Sequence, residues 1–382
     1  MARYWVGGSG NINDTAHWAA TSGGAGGETL PDATQDVFFD DNSGAAGMAV
    51  ARNAAITMKS IDVSARTASM SFSSNQAINI EENATLSSVI SNGGTAQLIT
   101  FKTNSGVTSV FTAGGFIEGN NFTISLDAAD AIVKLGSNFT VNAQLSFSVS
   151  NGTFDTDGYT LKAGTISISA GETVYFRNST IQLNASSQAG LTINSAANFD
   201  AGTSTIQVLN NGCLMNLGGK TLYRVELLGG TAANGTEFQD QGYTIDYLYV
   251  EPGAGVEFEQ SATPSNITTL EVDGTLASPV TFSYTSTGGA GTYALCVTNS
   301  LISYLDVQYM NASCGNPVVN PTGTDSGNNT NVLFAQWWEG IPGAHYKKPQ
   351  MEDVNVPVGQ LKGIDTLRPQ ASIVNERRPL LA

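Results

Sequence analysis

The chain has 382 residues, of which 41% are hydrophobic and only 13% charged, with 42 glycines and a formal net charge of −16. The apolar fraction excludes a disordered chain, and the acidity excludes non-specific nucleic-acid binding. Residues 1–339 hold 10 Lys/Arg against 28 Asp/Glu, whereas residues 340–382 hold 6 against 4 and 5 of the 11 prolines, so the last segment differs in kind from the rest.

Residues 1–48 read as an N-terminal cap. Tyr4-Trp5-Val6-Gly7-Gly8 is an aromatic strand running into a glycine turn, followed by His17-Trp18 and a second strand, Asp36-Val37-Phe38-Phe39-Asp40. Trp5 and Trp18 are expected to cover the open end of a core, with His17 a cap residue whose ring is hydrogen-bonded. Residues 49–339 then alternate with period two over short stretches such as Ile78-Asn79-Ile80, Ile166-Ser167-Ile168 and Ile181-Gln182-Leu183. Aliphatic residues point inward and Ser, Thr or Asn outward, and no stretch has the spacing of an amphipathic helix.

A phrase of Gly or Asn, often an aromatic, then Thr and an aliphatic recurs through this region. It reads Asn121-Phe122-Thr123-Ile124, Asn138-Phe139-Thr140-Val141, Gly158-Tyr159-Thr160-Leu161, Gly219-Lys220-Thr221-Leu222 and Gly242-Tyr243-Thr244-Ile245, at intervals of 17, 20, 61 and 23 residues. A recurrence near twenty predicts an all-β fold, a right-handed single-stranded parallel β-helix. About 14 coils at ~4.8 Å each would make a rod roughly 65 Å long. Trp337 and Trp338 are expected to lid its far end. Beyond them, residues 340–382 place apolar anchors (Tyr346, Val354, Val356, Leu361, Ile364, Leu367, Ile373) and the Arg377-Arg378 pair between prolines. Such a segment cannot bury a core and is expected to be an extended arm laid on another protein surface.

Catalytic constellations are sparse. Asp155 and Asp157, with Asp127 and Asp130 a coil or two earlier, are the carboxylates a glycosidase or lyase would need, but an Asx turn accounts for Asp155-Thr156-Asp157-Gly158. Lys134, Lys162 and Arg177 are spaced to share a face, most simply a solvated one. His17 and His345 stand at opposite ends, so neither a dyad nor a His-rich metal site is expected. Asp325-Ser326-Gly327-Asn328-Asn329 reads as a tight turn rather than a cation loop, and Asp40-Asp41 and Glu81-Glu82 as wet faces. Cys213, Cys296 and Cys314 have no metal spacing. Cys296 and Cys314 are one repeat apart and could stack, but the expectation is two buried thiols in a reducing compartment. No catalytic residue, metal or cofactor is predicted. With no basic stretch before an apolar core and no long apolar run, neither a secretory signal nor a membrane span is expected.

Two passages carry a resemblance. Tyr4-Trp5-Val6-Gly7-Gly8-Ser9-Gly10-Asn11 with Asp14, His17-Trp18 and Asp36–Asp40, and Ile302–Asp306 with Thr324–Asn329 and Phe334, resemble the opening and closing coils of β-helical proteins of bacteriophage virions and of bacterial adhesins. Ile12 departs from that pattern, standing where a tryptophan is more usual. The resemblance covers about 80 residues at the two ends. It implies a non-enzymatic virion component made in the host cytoplasm, a fibre, spike or capsid decoration protein, joined to other virion proteins through its arm and forming a homotrimer. The alternatives are a tailspike that binds or degrades host polysaccharide, and a bacterial surface adhesin.

Overall fold

The computed structural model describes residues 1–95, 97–126, 128–148, 152–185, 189–210, 212–229, 235–284 and 291–334. Two compact units are distinguished, Met1–Trp337 and Trp338–Ala382. The second lies outside the described residues, and with it the predicted arm from Tyr346 to Arg378; so do Asp127, Trp337 and Trp338.

The first unit is an all-β parallel solenoid of about 11 turns. Each early coil has three strands on three faces. Asp36–Phe38, Ser60–Asp62 and Ala84–Thr85 stack in parallel on the first face. Met48–Ala51, Met70–Ser73 and Ile90–Asn92 stack on the second, and Ile56–Met58, Ile78–Ile80 and Ile99–Phe101 on the third. From Ile117 onward the second and third ladders belong to one 18-stranded sheet. They merge because single strands such as Phe139–Ser148 and Leu161–Ile168 run through the corner between them. Only two short 3-10 turns, Thr15–His17 and Asp41–Ser43, interrupt the β structure among the described residues.

Alternation decides which side chains fill the interior. Met70–Ser73 and Ile78–Ile80 bury every second residue, and Leu161–Ile168 keeps the same pattern with one phase shift at its corner. Buried rings meet where coils stack: Phe111 lies 4.8 Å from Phe139 and 5.9 Å from Phe122, and Phe258 lies 5.4 Å from Phe238 and 4.9 Å from Tyr293. Such pairs add to the burial that holds each coil to the next.

The N-terminal end is closed by the same chemistry. Ala2–Trp5 continues the first-face ladder, and Trp18–Ala19 runs antiparallel beside it, with Trp5 opposite Trp18. Both tryptophans are fully buried, 5.1 Å apart and edge to face. Trp5 Nε1 donates to Gly8 O at 2.8 Å and Trp18 Nε1 to Ile12 O at 2.9 Å. His17 stacks on Trp5 with ring centres 4.6 Å apart, and its Nδ1 lies 2.8 Å from Val6 O.

Two expectations are corrected. The coils are fewer than 14 because they are longer than twenty residues: Val37, Ile61, Ala84, Phe111 and Leu135 follow one another on the first face at steps of 24, 23, 27 and 24. The recurring phrase marks corners rather than coils. Its copies at Thr221 and Thr244 do stack, but Phe139 sits on Leu161, two residues past Tyr159. The cysteines also differ from expectation. Cys296 and Cys314 are joined in a disulfide near the C-terminal coils, and neither is buried. Only Cys213 is a buried thiol, its pKa pushed up to about 12 by desolvation.

Candidate functional site

The carboxylates singled out in sequence are drawn into structure. Asp155 is 2% exposed and closes an Asx turn, accepting from Asp157 N at 2.9 Å through Oδ1. Its Oδ2 accepts from Arg177 Nε and Nη2, both at 3.0 Å. The Arg177 guanidinium lies over the Tyr175 ring at 4.6 Å, and its pKa is raised chiefly by the hydrogen bond to Asp155. Asp157 pairs loosely with Lys134 at 3.7 Å. Asp130 lies elsewhere, accepting from Ser105 Oγ at 3.0 Å, a bond that leads in holding its carboxyl below the usual range. The structure therefore brings Lys134, Asp155, Asp157 and Arg177 together on the first face. Lys162 is on the second, opposite Gln182. Committed to a turn and two ion pairs, these groups hold the coils in register.

The other acidic motifs behave alike. Asp325 Oδ1 accepts from Gly327 N at 2.9 Å and Asn329 Nδ2 at 2.7 Å, a closed turn. Asp41 takes the N–H and hydroxyl of Thr67, Asp40 caps the Asp41–Ser43 turn, and Glu82 pairs with Lys59 at 3.5 Å.

Two features escaped the sequence reading. The first is a buried polar chain across four successive coils at the corner between the second and third faces. Arg52, 1% exposed, donates to Ser74 O, Gln76 O and Gln97 O and, at 2.8 Å, to Asn92 Oδ1. Asn92 donates in turn to Glu118, which is fully buried and also accepts from Leu98 N at 2.9 Å and Asn120 N at 3.0 Å. Desolvation lowers the Arg52 pKa, and the Glu118 charge opposes that shift. A second interior arginine, Arg66, 2% exposed, is held by Asp40 O, Gly44 O and Ala45 O.

The second is a groove of about 570 Å³ where the third face turns toward the first. Ser167, Thr192 and Asn216 stack outward in register to form its wall. The turns at Asn194-Ser195, Gly218-Gly219 and Asp240-Gln241 form its rim. Gly218 has φ +59°, and a Cβ there would stand 2.2 Å from Ile193 O, so glycine is required for the corner to close. Gly219 N donates to Asp240 Oδ2 at 3.3 Å, while the buried Oδ1 of Asp240 has no partner among the described residues. Burial raises its pKa against the opposing main-chain N–H groups of Leu217, Gly219 and Gly218. Nearby, Lys220 Nζ is spent on Ser195 O and Ala197 O. The groove thus offers hydroxyls, amides and one carboxylate, with no group of three or more His, Cys, Asp or Glu placed to hold a metal among the described residues. The sequence signal was faint: an Asn-Ser, a Gly-Gly and an Asp-Gln spaced about one coil apart.

Comparison with known protein families, with curated proteins and with solved structures finds no match.

Proposed function

We propose that the chain is a non-enzymatic structural component of a bacteriophage virion, a β-helical body attached to neighbouring proteins by its 340–382 segment. The observation that carries this reading is the continuous stacking of coils from Ala2 to Phe334, in which the carboxylates best suited to catalysis are consumed as turn caps and ion pairs. A parallel stack with its main-chain groups paired from coil to coil is stiff and resists proteases. The Cys296–Cys314 disulfide suits a molecule that works outside a reducing cytoplasm. The proline-spaced, basic segment supplies attachment at a low entropy cost of extension. A chain ended after Gly340 is expected to keep its β circular dichroism and its melting temperature yet to be lost from purified particles. Incorporation of the shortened chain at the full-length level would overturn the reading.

The groove at Asp240 favours a second reading, attachment to a host glycan. A neutral saccharide can exchange hydroxyl hydrogen bonds with the Ser167, Thr192 and Asn216 wall and meets Asp240 on the rim. Asp240→Ala is then expected to weaken polysaccharide binding at least tenfold in calorimetry, the equivalent of about 1.4 kcal/mol. Unchanged affinity would place any glycan elsewhere.

A further inference from the structure

The charge of the solenoid is segregated along its length. From Val225 to Phe334 there are 11 Asp/Glu and no Lys or Arg; after Arg224 the next cation is Lys347, and residues 340–382 hold six. On the second face of these coils the outward positions stack in register, Glu226 on Tyr249, Tyr249 on Glu271 and Glu271 on Leu301. The Tyr249 phenol pKa is raised by burial and then by Asp273, Glu251 and Glu226, so several carboxylates bear on one ring. Farther along, the row turns apolar. Leu301 is 61% exposed and Val319, whose N–H donates to Ser300 Oγ, is 42% exposed. Val319 stacks in turn on Leu333, and Leu276 at the corner after the second face is 83% exposed. A single exposed leucine needs no account. Several in consecutive coils, beside stacked carboxylates, make a sheet face that no element covers among the described residues.

We propose that this second-face surface, from Glu226 to Val319, is the docking site for residues 340–382 of a second copy of the chain. The inference rests on the reading of that segment as an attachment arm and names its acceptor. Charge complementarity is the first argument: every cation after Arg224 lies in the segment, and the face it would meet carries Glu271 and Asp273, Glu226 being already paired with Arg224. The apolar anchors Val354, Val356 and Leu361 fall between those cations, matching a face on which Leu301 and Val319 follow the acids. Reach is the second argument. Extended at ~3.1 Å per residue, this proline-spaced segment spans about 130 Å. The coils from Glu226 to Val319 extend only about 20 Å at ~4.8 Å each. The segment therefore reaches a neighbour with length to spare. Copies so joined hold one another in succession, and the Glu271 and Asp273 charges of the face gain opposite charges on assembly.

Sedimentation velocity of the full chain tests the proposal. At about 50 mM salt the protein is expected to sediment as an oligomer, with apparent affinity falling at least tenfold by about 500 mM as screening shortens to a few ångströms. Two full-length variants sharpen the test: Arg377→Glu with Arg378→Glu reverses the arm, and Glu271→Lys with Asp273→Lys reverses the face. Each alone is expected to be a monomer with unchanged circular dichroism, and an equimolar mixture is expected to reassemble, because each supplies what the other lacks. A monomeric wild-type chain at low salt, variants that assemble like wild type, or a mixture no better than its parts would overturn it. A monomer that still joins particles defeats this inference and leaves the attachment reading standing. A self-assembling chain that joins particles without its arm supports the inference and defeats that reading.

Discussion

Glu118→Ala is expected to be among the most damaging single substitutions in the solenoid, costing about 3–5 kcal/mol. Glu118 is fully buried and answers three donors at once, Asn92 Nδ2, Leu98 N and Asn120 N. Without it, two main-chain N–H groups lose their acceptor and Arg52 keeps a buried positive charge with no counter-charge near it. The cause can be separated from mere loss of volume. Replacing both ends, as in Arg52→Met with Glu118→Leu, removes the charges together and is expected to cost clearly less than the sum of the single changes. Because a solenoid's stability is a sum of terms between neighbouring coils, the loss will be local. Hydrogen exchange should show Met70–Ser73, Ile90–Asn92 and Ile99–Phe101 opening while the coils beyond Thr153 stay protected. Additive single and double changes would refute a charge-coupled network.

Trp18→Ala is expected to cost about 3–5 kcal/mol at the N-terminal end. The indole is fully buried, 5.1 Å from Trp5 and 6.2 Å from Phe39, and its Nε1 satisfies Ile12 O. Removing it leaves a cavity that the surrounding rings cannot collapse into, since each is fixed by its own strand. Ala2–Trp5 and Asp36–Phe38 should then exchange their amide hydrogens early and become cleavable, with little change near the C-terminal coils. Protection that falls evenly along the chain would show that the tryptophans do not act as an end closure.

Much of the architecture was legible because a two-residue period is local. Ile78-Asn79-Ile80 announces its buried and exposed sides without reference to anything else in the chain. The buried Trp5 and Trp18 and the Asp155-Thr156-Asp157-Gly158 turn were legible for the same reason. What depends on distant partners was not. Nothing local marks Arg52 and Arg66 as buried, since their guanidiniums are held mostly by main-chain carbonyls, as far away in sequence as Gln97. The coil count differs because corners, which recur several times per coil, share the glycine or asparagine of the repeated phrase. The cysteines misled for another reason, since the expectation of burial followed residue type and not position. Cys296 and Cys314 are 18 residues apart, so the coil between them is shorter than those at the N-terminal end, and the thiols meet on adjacent coils at the surface.

The short strand Trp18–Ala19, set antiparallel against Ala2–Trp5, has a consequence for growth. A parallel stack can in principle be extended from either end by another molecule, and long stiff rods that do so become fibrils. Here the first-face ladder terminates on two residues running the wrong way, over an end sealed by indoles. On that face an incoming copy finds no parallel strand with which to continue in register. The antiparallel pair therefore works against one solenoid threading onto the next along this face, and favours association through side surfaces.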